Sequence, residues 1–208
     1  MKMLRAVEWL VALAMISAAV GEARAQTYAA LPRTAVAAPA AGTTRPVPAW
    51  RGFCERHPEE CTVDRAEPAV LKLTRAAWQQ ILSVNARVNA AIRPLTDEAH
   101  WGVLDDWNFP VDGYGDCEDY QLLKRKFLVE AGLPHRAMRM TVVIDEKGEG
   151  HAVLMVRTDR GDFVLDNKTS AVLPWDQTGY TYVKREADDG SGWTSLGGAN
   201  GPVATANR

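Results

Sequence analysis

Apolar residues recur at helical spacing between Asp64 and Arg93, where Trp78, Ile81, Leu82, Val84, Val88 and Ile92 share one stripe. Thr74 is placed to cap the stronger part of this helix, and Pro94 ends it. A second helix is predicted from Cys117 to Ala131. Tyr120, Leu123, Phe127 and Leu128 form its apolar stripe, Lys124, Arg125, Lys126 and Glu130 its polar positions, and Gly132 and Pro134 stop it. Between the two, residues 96–115 carry Trp101, Trp107, Pro110 and glycines and read as irregular structure. After Pro134 the pattern changes to period two and short apolar runs. Strands are predicted at Met138–Ile144, His151–Arg157, Asp162–Asp166 and Tyr180–Arg185, separated by the turns Asp145–Gly150 and Thr158–Gly161. Helices followed by an antiparallel sheet make an α+β arrangement, with the N-terminal helices packed on the sheet.

The ends of the chain have a different character. Met1–Arg5 is short and basic, Trp9 to Val20 is apolar apart from Ser17, and Ala23-Arg24-Ala25 has the small-x-small pattern of a cleavage site. Residues 1–25 are therefore expected to be a signal peptide cut after Ala25, and the mature protein to be exported. The apolar run, about 12 residues, falls short of the ~20 that span a bilayer. Residues 26–49, rich in Ala, Pro and Thr, predict an extended or disordered tether. Residues 188–208, rich in Gly, Ser, Asn and Ala, predict a flexible tail. The folded domain is expected over residues 50–187, enough for one core.

Charge narrows the function. The chain has a formal net charge of −2, and losing Lys2, Arg5, Arg24, Glu8 and Glu22 makes the mature chain slightly more acidic. No Lys/Arg-rich patch stands out, so a nucleic-acid partner has no electrostatic support. Of three cysteines, Cys54 and Cys61 flank a Pro-containing bend and are expected to pair in an oxidising compartment. Cys54, His57 and Cys61 could instead contribute to a zinc site, but no fourth ligand is evident. Cys117 is left over, and its neighbours mark it as reactive.

Those neighbours are Gly115-Asp116-Cys117-Glu118-Asp119-Tyr120. A thiol attacks only as the thiolate, so it needs a base, and that base needs an acceptor to fix its tautomer. Asp116 is a good N-cap residue, which puts Cys117 in the first turn of its helix, where the dipole favours thiolate and the Cys117 N–H can meet an oxyanion. His151 opens one predicted strand and Asp166 closes the next, so a hairpin brings both to the same end. Cys117 as nucleophile, His151 as general base and Asp166 as its orienter follow. His57 and His135 have no Asp one strand away and read as solvated surface residues.

The segments Gly-Asp-Cys-Glu-Asp-Tyr, Gly-His-Ala-Val-Leu and Asp-Phe-Val-Leu-Asp-Asn, with Val172-Leu173-Pro174-Trp175 and Tyr180 after them, resemble the bacterial transglutaminase-like cysteine proteinase family. The resemblance covers about Trp50 to Arg185. It implies a papain/transglutaminase-like α+β fold, the triad Cys117, His151 and Asp166, and a periplasmic location in Gram-negative bacteria. The best understood members of the family release large adhesins from the cell surface and are held in check by an inner-membrane receptor that senses a cyclic dinucleotide. They also bind calcium through the acidic residues flanking the cysteine, here Asp116 and Glu118. The residues themselves are open to two accounts of this cluster. Asp116, Glu118 and Asp119 put three carboxylates around one turn, which suits calcium; they would equally cap the helix and complement its dipole.

The expected activity is that of a monomeric cysteine endopeptidase acting on a protein substrate through an acyl-enzyme. Resolution of the acyl-enzyme by an amine, as in a transglutaminase or amidase, uses the same residues, and a non-catalytic binding protein on this fold is a third reading. Residues 96–114 and 167–179 are where specificity is expected to reside.

Overall fold

The computed structural model describes residues 30–190 and 192–198, so the expected signal peptide, residues 1–25, lies outside the described residues. The chain runs through β1 (Thr43–Thr44), α1 (Pro48–Arg56), α2 (Pro58–Cys61), α3 (Arg75–Ala91), β2 (Arg93–Pro94), α4 (Asp97–Trp101), β3 (Tyr114–Gly115) and α5 (Cys117–Glu130). Strands β4 (Met138–Ile144), β5 (Gly150–Thr158), β6 (Gly161–Leu165), β7 (Leu173–Pro174), β8 (Thr181–Glu186) and β9 (Trp193–Ser195) follow. The strands form one antiparallel seven-stranded sheet in the order β1-β9-β8-β4-β5-β6-β7, with β2 and β3 paired separately.

Thr74 does start α3: its hydroxyl accepts from the Ala77 amide at 3.1 Å. The helix does not extend back to Asp64, because Pro68 interrupts the stretch and Leu71 to Leu73 are drawn to the end of β5. Leu71 bridges Thr158, and the Leu73 amide donates to Asp159 Oδ1 at 2.9 Å. The irregular segment 96–115 contains the short helix α4, capped by Thr96.

Successive strand residues point to opposite faces, and β4, β5 and β6 are apolar at both parities. Met140, Val142, Leu154, Val156, Phe163 and Leu165 pack with the buried residues of α3 and α5. Val143, Val153, Met155, Val164 and Tyr182 form a second cluster with Ala38 and Leu196. A second cover is therefore required, and it comes from the two ends expected to be a tether and a tail. The Ala35 amide donates to the Arg160 carbonyl at 2.7 Å, Ala38 N to Asp162 Oδ2 at 2.9 Å, and Trp175 Nε1 to the Val36 carbonyl at 3.1 Å. Gly161 allows this approach: a Cβ there would lie 2.6 Å from the Ala35 backbone. At the other end, β9 pairs with β8 and β1, and Trp193 is buried edge-on against Trp50 at 5.7 Å. The described parts of 30–49 and 188–198 thus belong to the folded body, because the sheet has two apolar faces to bury.

Cys54 and Cys61 are joined as a disulfide and Cys117 is the free cysteine, so no thiol pair is left for zinc at the bend. A buried ion pair fixes the helix that starts at Cys117. Arg125 of α5 meets Glu186 of β8 at 2.7 Å, and Glu186 also accepts from Trp50 Nε1 at 2.8 Å and Met140 N at 3.0 Å. Among the described residues, no helix is long and apolar enough to cross a membrane.

Candidate active site

Cys117 is the first residue of α5 and is fully buried. Asp116 occupies the N-cap position, but its side chain makes no cap bond. Its carboxylate instead accepts from the Asp97 amide through Oδ2 at 3.2 Å and shares a hydrogen bond with the Glu118 side chain, so it links α4 to the first turn of α5. The Cys117 sulfur is positioned between two elements: it donates to Glu118 Oε2 at 3.1 Å and accepts from the Ala152 amide at 3.3 Å. The second contact brings the sulfur to the residue directly after His151.

His151 and Asp166 come together as the hairpin geometry predicts. Leu154 of β5 lies opposite Leu165 of β6, which brings His151 and Asp166 to one end of the ladder. His151 Nε2 lies 2.9 Å from Asp166 Oδ1. With Nε2 donating to that carboxylate, Nδ1 is the basic nitrogen, and it is buried without a hydrogen-bond partner. Asp166 accepts further from the Lys168 amide at 3.0 Å and from Tyr180 Oη at 2.6 Å. Burial works to raise the Asp166 pKa, but the bonds and charge of His151, with Tyr180 and Lys168, hold it below the ordinary value. Tyr180 also packs edge-on against the His151 ring at 5.7 Å. Spacing alone gave no role to Tyr180, whose part depends on the chain returning to place β8 beside β4, across from β5.

Around the cysteine lies a larger carboxylate cluster than the three in sequence. Ligand atoms of Asp97, Asp105 and Glu118, of Asp97, Asp116 and Asp119, and of Asp116, Cys117 and Glu118 each fall within 4.8 Å of one another. Asp97 and Asp105 come from the segment that reads as irregular. The cluster also anchors that segment: Asp97 Oδ2 accepts from the Asp106 amide, and Asp119 Oδ1 from Asn108 N at 2.8 Å. Gly115 makes room for it, since a Cβ there would lie 2.7 Å from Asp119 Oδ2. Burial is the first cause of the pKa rises here, with neighbouring carboxylates adding to it. Asp97 is pushed up to about 6, Asp116 to about 7 and Asp119 to about 9, and Glu118 rises well above the usual range. Asp97 Oδ1 and Asp116 Oδ1 are buried with no hydrogen-bond partner. Several buried carboxylates with unmet oxygens fit a hard divalent cation better than they fit helix capping.

The same burial reverses one expectation. A helix start favours thiolate, yet in the folded chain burial pushes the Cys117 thiol well above its ordinary pKa, and the charges of Glu118 and Asp116 push it further. Positive charge at the carboxylate cluster is what would bring it down. Cys117 and His151 are both fully buried. His135 is also not a solvated residue: it is partly buried, and burial, with the nearby Arg125 charge, lowers its pKa to about 4. His57 is half-covered by Phe53 and Phe109, at 4.9 and 5.4 Å between ring centres.

Comparison with known proteins agrees with this architecture. The family described as bacterial transglutaminase-like cysteine proteinase matches residues 40–200. A calcium-bound structure of LapG from Legionella pneumophila superposes with a TM-score of 0.50 at 24% identity, over 61% of this chain and 74% of that one. A second Legionella pneumophila LapG structure gives a TM-score of 0.50 at 27% identity, over 59% and 71% of the two chains. The comparison with curated proteins gave no match.

Proposed function

Because the chain belongs to the bacterial transglutaminase-like cysteine proteinase family, whose members are thiol-dependent hydrolases, we propose that it is a cysteine endopeptidase of the periplasm with Cys117, His151 and Asp166 as its catalytic residues. The observation that carries this reading is the 2.9 Å bond between His151 Nε2 and Asp166, with the Cys117 sulfur held by the amide next to His151. His151 Nδ1 takes the thiol proton as the sulfur attacks the scissile carbonyl, and the resulting imidazolium is stabilised by Asp166. The Cys117 amide, at the open start of α5, is a donor for the oxyanion. His151 then returns the proton to the leaving amine, and a water, deprotonated by the same nitrogen, hydrolyses the thioester. Tyr180 keeps the second oxygen of Asp166 engaged, so that the first stays on the ring.

Asp97, Asp105, Asp116, Glu118 and Asp119 are the residues that would hold calcium, a set that includes the pair Asp116 and Glu118. Bound there, calcium supplies positive charge that offsets the field raising the Cys117 pKa. A large exported adhesin as the substrate, and an inner-membrane receptor as the regulator, are supported by the resemblance of the cysteine, histidine and aspartate segments to family members with those partners.

Incubation with candidate exported proteins in calcium, read by mass spectrometry, tests the activity. New termini carrying one added water mark hydrolysis, and they are expected with the wild type and absent with Cys117→Ala. Products carrying a bound amine in place of water would replace hydrolysis with acyl transfer, and cleavage by Cys117→Ala would end the assignment.

A further inference from the structure

Asp166 is the last residue before a loop, yet its carboxylate must meet His151 to within a few tenths of an ångström. The loop is held from two helices. From α3, Asn89 Nδ2 donates to the Asp166 carbonyl at 2.8 Å and to the Thr169 carbonyl at 3.0 Å, and Asn85 Nδ2, one turn earlier on the same face, donates to Thr169 at 3.2 Å. From α5, Gln121 Nε2 reaches Asn167 Oδ1 at 3.5 Å.

The other ends of these amides sharpen the point. Asn85 Oδ1, Asn89 Oδ1 and Gln121 Oε1 are all buried without a hydrogen-bond partner, and so is the ammonium of Lys124 on α5. Burying polar atoms unmet costs stability, and an apolar side chain at Asn85 or Lys124 would avoid it. Nor can the α3 amides be turned over to relieve the cost, since each would then set an oxygen against a loop carbonyl. The two helices therefore carry a stability cost at the one loop that follows Asp166. Such trade-offs gather where a site must be positioned.

We propose that Asn89, supported by Asn85, is a positioning residue for the catalytic set: by gripping the main chain at residues 166 and 169 it fixes where the Asp166 carboxylate meets His151 Nε2. This rests on the catalytic reading above. Asn89 acts through the backbone and touches neither the reacting atoms nor the imidazole. Its loss lets the loop relax, so the His151–Asp166 bond lengthens and the imidazole is no longer held for the sulfur.

The test uses the full chain with two readouts that a merely structural residue leaves alone. One is the downfield Nε2–H proton of His151, identified by 15N-histidine labelling; the other is the rate at which iodoacetamide alkylates Cys117 as pH is varied. Asn89→Ala and Asn89→Asp, which is the same shape without the donors, are expected to broaden or lose that proton signal and to slow alkylation at neutral pH about tenfold, as for other residues that orient a ligand from behind. Val84→Ala, in the buried face of the same helix, is expected to lower the melting temperature and leave both readouts unchanged. Wild-type signal and rate in both Asn89 variants would overturn the proposal, as would equal losses in Val84→Ala. If His151→Ala alkylates as fast as the wild type, the catalytic reading itself fails, and the proposal falls with it.

Discussion

Calcium binding at the carboxylate cluster should be strongly linked to pH, because the metal-free cluster holds protons that a cation must displace. Asp116 titrates at about 7 and Asp119 at about 9 in the folded chain. Going from pH 8 to pH 6, competition at a group of pKa about 7 weakens cation affinity roughly tenfold, and at a group of pKa about 9 nearly a hundredfold. The two carboxylates lie in one cluster and titrate together, so the combined weakening is about tenfold or more rather than a simple product, with Glu118 acting in the same direction. Titration calorimetry at both pH values, repeated in buffers of different ionisation enthalpy, measures the affinity and counts the protons released. Release of more than one proton per calcium and much tighter binding at pH 8 are expected. An affinity that changes less than about threefold, with heats independent of buffer, would mean that the carboxylates are already ionised and the burial argument is wrong.

The same groups set the pH dependence of stability without metal. Asp119 has a folded pKa of about 9, far above its unfolded value near 3.8, so between those values the folded state binds more protons and stability falls as pH rises. In EGTA, Asp119→Asn should lose less melting temperature than the wild type between pH 7 and pH 9, and equal losses would refute this. Tyr180→Phe removes the 2.6 Å bond to Asp166. It should lower the melting temperature, since a hydrogen bond to a buried charged group is worth about 1.5–3 kcal/mol, and should also slow hydrolysis about tenfold as the His151–Asp166 pair loosens. A wild-type rate in that variant would take Tyr180 out of the site. Replacing both Cys54 and Cys61 by Ala opens a seven-residue separation and should cost about 2 kcal/mol in urea unfolding, with the Cys117 alkylation rate unchanged. Loss of alkylation would tie the loop to the site instead.

The elements that hold Cys117, His151 and Asp166 were largely legible, because their signals are local. Thr74, Pro94 and Pro134 mark where α3 and α5 start and stop, and the apolar runs either side of Asp145–Gly150 and Thr158–Gly161 give β4, β5 and β6. The His151–Asp166 meeting followed from a tight hairpin, whose register its own turn sets. Non-local partners carried weaker signals. Ala38 and Leu196 sit in sequence typical of linkers, and only the two-sided apolar character of Val153-Leu154-Met155-Val156 shows that a second cover is needed. Asp97 and Asp105 lie 20 and 12 residues before Cys117, in a segment with no periodicity, so their convergence on Glu118 depends on how α4 and its loop fold. The position of Asp116 suggests a cap, and the three-dimensional neighbour that meets its carboxylate, the Asp97 amide, is not adjacent in sequence.

The central claim is that Cys117 is a nucleophile activated by His151, and trapping it with a peptidyl vinyl sulfone in saturating calcium tests that most directly. Intact-mass measurement and peptide mapping should find one adduct per wild-type chain, on Cys117, with none on Cys117→Ala. His151→Ala should label on the order of a hundredfold more slowly or worse, the contribution of a lost general base. Equal labelling of wild type and His151→Ala, or an adduct on any residue but Cys117, would contradict the account.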